Sequence, residues 1–158
     1  MTEEISKEEI QKRIELMKEN CIFCKIVRKE IPSKIIFEDD ICMAFLDINP
    51  STVGNTILIP KEHYMMLPMM PDEVLGHLGV ISKYIADLLK ETFKAIDVTI
   101  MIANGTAAGQ QVQHFSMNIL PRYENDSINI NIEGNSLKDE DLYYLAEKLK
   151  KKLTNRHS

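Results

Sequence analysis

A long amphipathic segment at residues 72–94 sets the strongest limit on the architecture. Its apolar residues recur every three or four positions, at Val74, Leu78, Ile81, Ile85, Leu88 and Leu89. This spacing predicts a helix with one apolar face, which must be covered by other elements. Short extended runs stand on both sides of it, at residues 35–38, 42–47, 55–59, 98–102 and 111–120. The order predicts an α+β fold in which an antiparallel sheet carries the helix.

Composition narrows the classes of function. The chain has 158 residues, enough for one domain with a sizeable core. Its 24 acidic and 19 basic residues give a net charge of −5, which argues against binding a nucleic acid polymer. No apolar run approaches the roughly 20 residues of a membrane span, and the charged start of the chain is unlike a secretory signal. We therefore expect a soluble, cytoplasmic protein with neither nucleic acid polymers nor membranes as partners.

Two cysteines at close spacing, Cys21 and Cys24, are the first sign of chemistry. This spacing suits chelation of one Zn²⁺, a redox pair, or two buried thiols without a special role. A metal needs further ligands, and His63 and His114 are candidates because each lies at or in an extended run. Two cysteines with two histidines would make a closed, structural zinc site. Taken singly, each histidine fits better as a lone histidine with satisfied hydrogen bonds than as a metal ligand.

A small-residue loop at 104–110 enters the alternating run 111–120. His114, Ser116 and Asn118 share one face of that run, while Phe115, Met117 and Ile119 share the other. Period-two alternation predicts a half-buried strand. Its polar face could present several groups to one anion, or it could be the solvent side of an ordinary hairpin.

Six short motifs, taken together, carry a resemblance to a known family. Residues 21–122 resemble the histidine triad (HIT) superfamily of nucleotide hydrolases and transferases. The matching stretches, in chain order, are IFCKI (22–26), IPSK (31–34), FEDD (37–40), AFLDINP (44–50), ILIPKEH (57–63) and GQQVQH (109–114). The resemblance implies a sheet of about five main strands with a long packed helix, and a homodimer that joins two sheets near residues 72–94 and 98–103.

Helical spacing at residues 4–19 and 138–153 adds terminal helices to that fold. The predicted organisation is an N-terminal helical extension at 1–20, a HIT-like domain at 21–122, and a C-terminal loop and helix at 123–158 packed on the domain. Neither terminal segment contributes to the motifs that carry the resemblance.

The resemblance also implies a pocket for a purine mononucleotide or dinucleotide. Asp47 matches the acidic residue that accepts both ribose hydroxyls, and Gln110 with the backbone around Gly109 matches the loop that faces the phosphate. The positions that flank the base correspond to Ile22, Phe23, Ile31, Phe45, Ile48 and Leu58. In the zinc-carrying branch of the family the metal ligands correspond to Cys21, Cys24, His63 and His114, so zinc is the implied cofactor.

The family's signature, His-x-His-x-His, is altered in this chain. It reads His114, Ser116, Asn118, so serine stands where the family's central histidine attacks the α-phosphate. A serine hydroxyl is a weak nucleophile without an adjacent base. A metal-bound His114 would have no lone pair to offer, and Asn118 cannot act as a base. Asn55 likewise stands where a histidine often follows the glycine of the third strand.

Three hypotheses follow. The first is a zinc-containing, HIT-like purine-nucleotide-binding protein that lacks the nucleotidyl-histidine reaction, because Ser116 replaces the nucleophile. The second is an active HIT phosphohydrolase or nucleotidyl transferase with rearranged catalysis. The third is a zinc-stabilised scaffold without a ligand, which the carboxylate at Asp47 disfavours.

Overall fold

The computed structural model describes the backbone of residues 6–157 and the side chains of residues 6–156. The first two residues of the predicted N-terminal helix therefore lie outside the described part. The chain divides into two compact units, Met1–Ile128 and Asn129–Ser158. No helix within the described residues has the length and apolar character needed to cross a bilayer.

The first unit holds eight main elements. They are α1 (Lys7–Asn20), α2 (Ile22–Val27), β1 (Ile35–Glu38), β2 (Cys42–Leu46), β3 (Thr56–Pro60), α3 (Asp72–Phe93), β4 (Asp97–Met101) and β5 (Met117–Arg122). The strands form one sheet in the order β1-β2-β3-β5-β4, and every neighbouring pair is antiparallel. The predicted α+β fold with five main strands is confirmed.

Helix α3 covers one face of the sheet. Leu78, Ile85 and Leu89 are buried along it and pack with Leu58, Met117 and Ile119 of the sheet. Leu88 was predicted to belong to this stripe but is 51% exposed. At 100° per residue it lies roughly 80° around the helix from Leu78, which places it at the edge of the buried face.

The opposite face of the sheet carries α2. Met43 and Phe45 of β2 pack there with Phe23 and Ile26, whereas Cys42 and Ala44, their neighbours in the strand, lie on the α3 side. Alternate strand residues face opposite ways, so one strand supplies both layers. The short helix with the two predicted cysteine ligands is thereby fixed on the face away from α3.

Strand β5 begins later than the sequence predicts. The alternation predicts a strand over 111–120, but β5 starts at Met117 and includes Pro121 and Arg122, which were predicted to be loop. The N–H of His114 donates to the carbonyl of Val112 at 2.8 Å, a tight turn that leaves no strand ladder there. Within the sheet, Asn118 lies between Ile57 of β3 and Met101 of β4.

The second unit contains α4 (Asp139–His157), which is longer than the predicted 138–153. Its leucine stripe, Leu142, Leu145, Leu149 and Leu153, is exposed. Packing of this helix on the domain stays a prediction, as do the proposed domain boundaries. At the other end, Ser6 caps α1 by accepting the Glu9 N–H at 3.2 Å, as the sequence predicts, and α1 buries none of its described residues.

Candidate functional site

The structure brings the four predicted metal ligands together. Cys21 is the N-cap of α2 and Cys24 lies in its first turn. His63 follows the end of β3, and His114 precedes β5. One donor atom from each lies within 4.8 Å of all the others. Three loops or element ends, far apart in sequence, therefore converge on one point.

The distances between donor atoms fit a tetrahedral metal. Cys24 Sγ lies 3.2 Å from His63 Nδ1 and 3.5 Å from His114 Nδ1, and Cys21 Sγ lies 3.5 Å from His114 Nδ1. Zinc bonds of about 2.3 Å to sulfur and 2.0–2.1 Å to nitrogen at tetrahedral angles place sulfur and nitrogen about 3.5 Å apart. The side chains are already spaced for an ion between them.

The protonation state of His114 and the burial of the thiols are also compatible with a bound cation. His114 is fully buried, and its Nε2 donates to the carbonyl of Pro60 at 2.8 Å, which leaves the Nδ1 lone pair facing the thiols. Burial lowers the pKa of His114 to about 4, so the imidazole is neutral. Burial, with the nearby Cys21, raises the pKa of Cys24 to about 12. A divalent cation would offset the cost of the buried thiolates.

A second group of potential ligands, Asp39, Cys42 and His77, has a different character. Asp39 Oδ1 accepts the N–H groups of Ile41 and Cys42, and its Oδ2 pairs with His77 Nε2 at 2.6 Å. Burial alone would raise the pKa of Asp39, but these hydrogen bonds lower it to about 2. The group joins the β1–β2 turn to α3. Sequence reasoning missed it, because His77 carries no local signal of a partner 38 residues away.

A cavity of about 690 Å³ opens beside the cluster, on the α2 face of the sheet. It is lined by nearly all of the predicted ligand-binding residues: Ile22, Phe23, Ile31, Phe45, Asp47, Ile48, Gly109, Gln110, Ser116 and Asn118. Phe23 and Phe45 meet edge to face, with ring centroids 5.7 Å apart, and form an aromatic wall. The cavity is wide enough for a base and a sugar.

Leu58 is the predicted base-flanking residue that does not line the cavity. Its side chain is fully buried on the α3 side of the sheet. Ile57, its neighbour in β3, lines the cavity instead. The cause is a one-residue error in register, which moves a strand residue to the opposite face.

Asp47 has a carboxylate oxygen to spare. It follows β2, and its N–H donates to the carbonyl of Asn55 at 2.9 Å. Its Oδ1 accepts the N–H of Asn49 at 2.9 Å, while Oδ2 has no hydrogen-bond partner in the described part of the chain. The backbone therefore fixes the carboxyl group, and the group retains capacity for two hydroxyl donors.

The other polar side chains that line the cavity are uncharged. Ser116 and Asn118 are half-buried there, and Asn55 is 3% exposed. Asn55 Oδ1 accepts the Ser51 N–H at 3.3 Å, whereas its Nδ2 is buried without a hydrogen-bond partner. Asn55 follows Gly54 and directly precedes β3, at the position where the family resemblance places a histidine.

Gln110 lines the cavity, but the hydrogen bonds of its side-chain amide are made to the backbone of the neighbouring loops. Its Oε1 accepts the Gly105 N–H at 2.8 Å, and its Nε2 donates to the carbonyls of Met65 at 2.7 Å and Val112 at 2.9 Å. The side chain is 8% exposed. It holds the shape of residues 105–112 beside the cavity.

Comparison with known proteins agrees with this geometry. A family model described as the HIT domain matches residues 28–125. The chain belongs to the HIT family. This HIT protein is 36% identical to a crystal structure of a HIT family member from Bacillus subtilis, with a TM-score of 0.80 over 84% of this chain and 96% of that one.

Two further relatives bear on the site. A Zn-bound histidine triad family protein from Mycobacterium smegmatis is 32% identical, with a TM-score of 0.68 over 75% of the HIT protein described here and 86% of that chain. An adenosine 5′-monophosphoramidase from Saccharomyces cerevisiae is 37% identical over 108 residues, which is 68% of this chain and 65% of that protein.

Proposed function

We propose that this HIT protein binds a purine nucleoside or nucleotide in the cavity beside the cysteine–histidine cluster, and that it lacks the covalent nucleotidyl-histidine reaction. One observation carries the proposal: Asp47, which has one carboxylate oxygen without a hydrogen-bond partner in the described chain, lines the same cavity as the aromatic wall and Ser116. A base against the wall formed by Phe23 and Phe45, with its ribose on Asp47, would bring the 5′ end toward Ser116 and Asn118.

The surroundings of Ser116 argue against nucleophilic attack. A serine needs a neighbouring base within hydrogen-bond reach. His114, two residues earlier, directs Nδ1 to the thiols, and its Nε2–H donates a hydrogen bond to the carbonyl of Pro60. Asn118 has an amide, which is neither a base nor an acid at neutral pH. The residues that line this end can hold an oxygen atom, but none can take the proton from Ser116.

The metal is proposed as a structural part of the site. Cys21, Cys24, His63 and His114 would hold one Zn²⁺, and a site closed by four protein ligands stabilises a fold without activating water. Support comes from the donor distances and the tautomer of His114. The Zn-bound relative from Mycobacterium smegmatis adds independent support.

We further propose a cytoplasmic homodimer. Strand β4 is an edge strand of the sheet, and edge strands are normally paired or covered. Exposed apolar side chains gather on β4 and on α3 next to it: Val80, Tyr84, Leu88, Ile100 and Met101. A second copy that extends the sheet at β4 would cover them.

A second function is favoured by the yeast relative. It is named an adenosine 5′-monophosphoramidase, so an active hydrolase in which Ser116 acts as nucleophile is the competing proposal. Calorimetric titration with adenosine, AMP and GMP, beside a turnover assay on adenosine phosphoramidate, separates the two. We expect binding without turnover, and no nucleotidyl-enzyme by mass spectrometry.

Two variants make the assay decisive. Ser116→His combined with Asn118→His should bring back measurable turnover, because a histidine at position 116 can attack and then leave. Ser116→Ala is the matched control and, like the wild type, should show no turnover. Wild-type turnover at about 1–10³ s⁻¹, abolished by Ser116→Ala, would show instead that serine is a working nucleophile.

A further inference from the structure

We infer that Asn104, a residue outside the cavity, is a positioning residue for the 5′-phosphate of a bound nucleotide. Its side chain fixes the loop at residues 104–112, and the end of that loop lines the cavity. The inference rests on the proposed function, and it explains how the part of the chain that faces the phosphate is held in place.

Two backbone donors of this loop are free for a ligand. Gln111 and Val112 line the cavity, and their N–H groups have no hydrogen-bond partner in the described part of the chain. Free N–H groups of a turn bind anions such as phosphate oxygens. The position of these two peptide groups therefore affects how tightly a 5′-phosphate is held.

The first part of the loop is shaped by hydrogen bonds, because its side chains do not enter the core. Residues 104–109 are exposed or half-buried. The Gly105 carbonyl accepts the N–H groups of Ala108 and Gln110 at 3.0 and 3.1 Å, and the Gly105 N–H donates to Gln110 Oε1 at 2.8 Å. These bonds join the loop into one unit, but they do not fix where that unit lies relative to the cavity.

A neighbouring segment, residues 64–67, provides fixed points for the loop. It begins directly after His63 of the cysteine–histidine cluster. Tyr64 and Leu67 pack against the core that α3 forms with the sheet. The segment is therefore held by packing, which the exposed loop lacks.

Side chains at both ends of the loop bind this segment. Asn104 Oδ1 accepts the Leu67 N–H at 2.8 Å, and Gln110 Nε2 donates to the Met65 carbonyl at 2.7 Å. Gln110 lines the cavity itself, whereas Asn104 is exposed and is not among the lining residues. Replacing Asn104 thus loosens the loop without removing a group that a ligand would touch.

The first test compares a ligand that has a 5′-phosphate with one that lacks it. Calorimetry at pH 7.5 on the zinc-loaded protein uses AMP and adenosine, and the wild type should bind AMP more tightly. Asn104→Ala should weaken AMP binding by about twofold to tenfold, the range for one neutral hydrogen bond, and leave adenosine binding unchanged. Thr106→Ala is the control, since Thr106 is exposed in the same loop and its side chain makes no hydrogen bond in the described chain. It should leave the affinity for both ligands unchanged.

The outcomes separate this inference from the proposed function. An equal loss for AMP and adenosine would show that Asn104 supports the whole cavity, and no loss for either would show that its bond does not matter. Each result overturns the inference, and so does a wild type that binds AMP no more tightly than adenosine. In all three cases nucleoside binding stands. A wild type that binds neither ligand contradicts the proposed function itself.

A second pair of variants tests the acceptor oxygen. Asn104→Asp keeps an oxygen that can accept the Leu67 N–H and adds one negative charge, and Thr106→Asp adds the same charge two positions away. Relative to adenosine, AMP should bind the two variants equally within about twofold, because exposed charges have small effects. A further loss confined to Asn104→Asp, as large as that in Asn104→Ala, would overturn the inference.

Discussion

Replacing Asp47 by asparagine preserves the size of the side chain and removes its charge. The amide oxygen can still accept the Asn49 N–H, a 2.9 Å hydrogen bond in the wild type, so the turn after β2 should hold. The change is therefore aimed at the ligand. In the proposed complex the carboxylate accepts two ribose hydroxyls, and the amide can offer only neutral hydrogen bonds in their place.

The size of the loss follows from the number of bonds. A hydrogen bond to a charged group contributes about 1.5–3 kcal/mol, and one between neutral groups about 0.5–1.5 kcal/mol. The difference is about 1 kcal/mol per bond, hence about 2 kcal/mol for two bonds. Since about 1.4 kcal/mol is a tenfold change, Asp47→Asn should weaken adenosine binding about 30-fold.

Calorimetry with a second ligand isolates the cause. The ligand 2′,3′-dideoxyadenosine lacks both hydroxyls, so its affinity should be the same for wild type and Asp47→Asn. Asp40→Asn, which changes an exposed carboxylate outside the cavity, is the control for net charge. An equal loss for adenosine and the dideoxy ligand would refute a ribose role for Asp47, and so would no loss for either.

Three further predictions concern the metal, the Asp39 turn and the assembly. Cys24→Ser should reduce zinc content from one equivalent per chain to near zero by elemental analysis, while Cys42→Ser keeps it; equal zinc in both would contradict the ligand set. The lowered pKa of Asp39, about 2 against an ordinary 3.8, stabilises the fold above about pH 4 and ceases to do so as the pH falls toward 2. In urea unfolding, the wild-type advantage over Asp39→Asn should therefore be present at pH 6 and shrink at pH 2.5. Light scattering should give twice 18.2 kDa for the wild type and 18.2 kDa for Ile100→Glu; a wild-type monomer at micromolar concentration would count against the dimer.

The helices and most strands could be predicted because their signals are local. The stripe of α3 repeats with the helical period, and the short apolar runs of β1 and β2 are bounded by polar and turn-forming residues. The start of β5 could not be predicted this way. Alternation continues through residues 111–116, but the turn at Val112–His114 interrupts the strand, and that turn depends on contacts with β3 and with the loop after it.

In the site, too, features with a local sequence signal could be predicted, and features that depend on distant contacts could not. Spacing alone left Cys21 and Cys24 ambiguous, and the family resemblance supplied the two histidines that the structure brings to them. Ile57 was missed in favour of Leu58, because a continuous apolar strand does not say which residue faces which layer. The pairing of Asp39 with His77 joins a turn to a distant helix and leaves no trace in either local pattern.

Helix α2 is short, Ile22–Val27, yet it serves two purposes at once. Cys24 belongs to the cysteine–histidine cluster, and Phe23, the residue before it, forms part of the wall of the cavity. A metal that immobilises this single turn therefore also prepares the surface on which a base would stack. If a bound metal favours base binding in this way, linkage requires that an occupied cavity raise the affinity for the metal by the same factor. Zinc and the nucleoside would then each increase the affinity of the protein for the other, because Phe23 and Cys24 are adjacent residues.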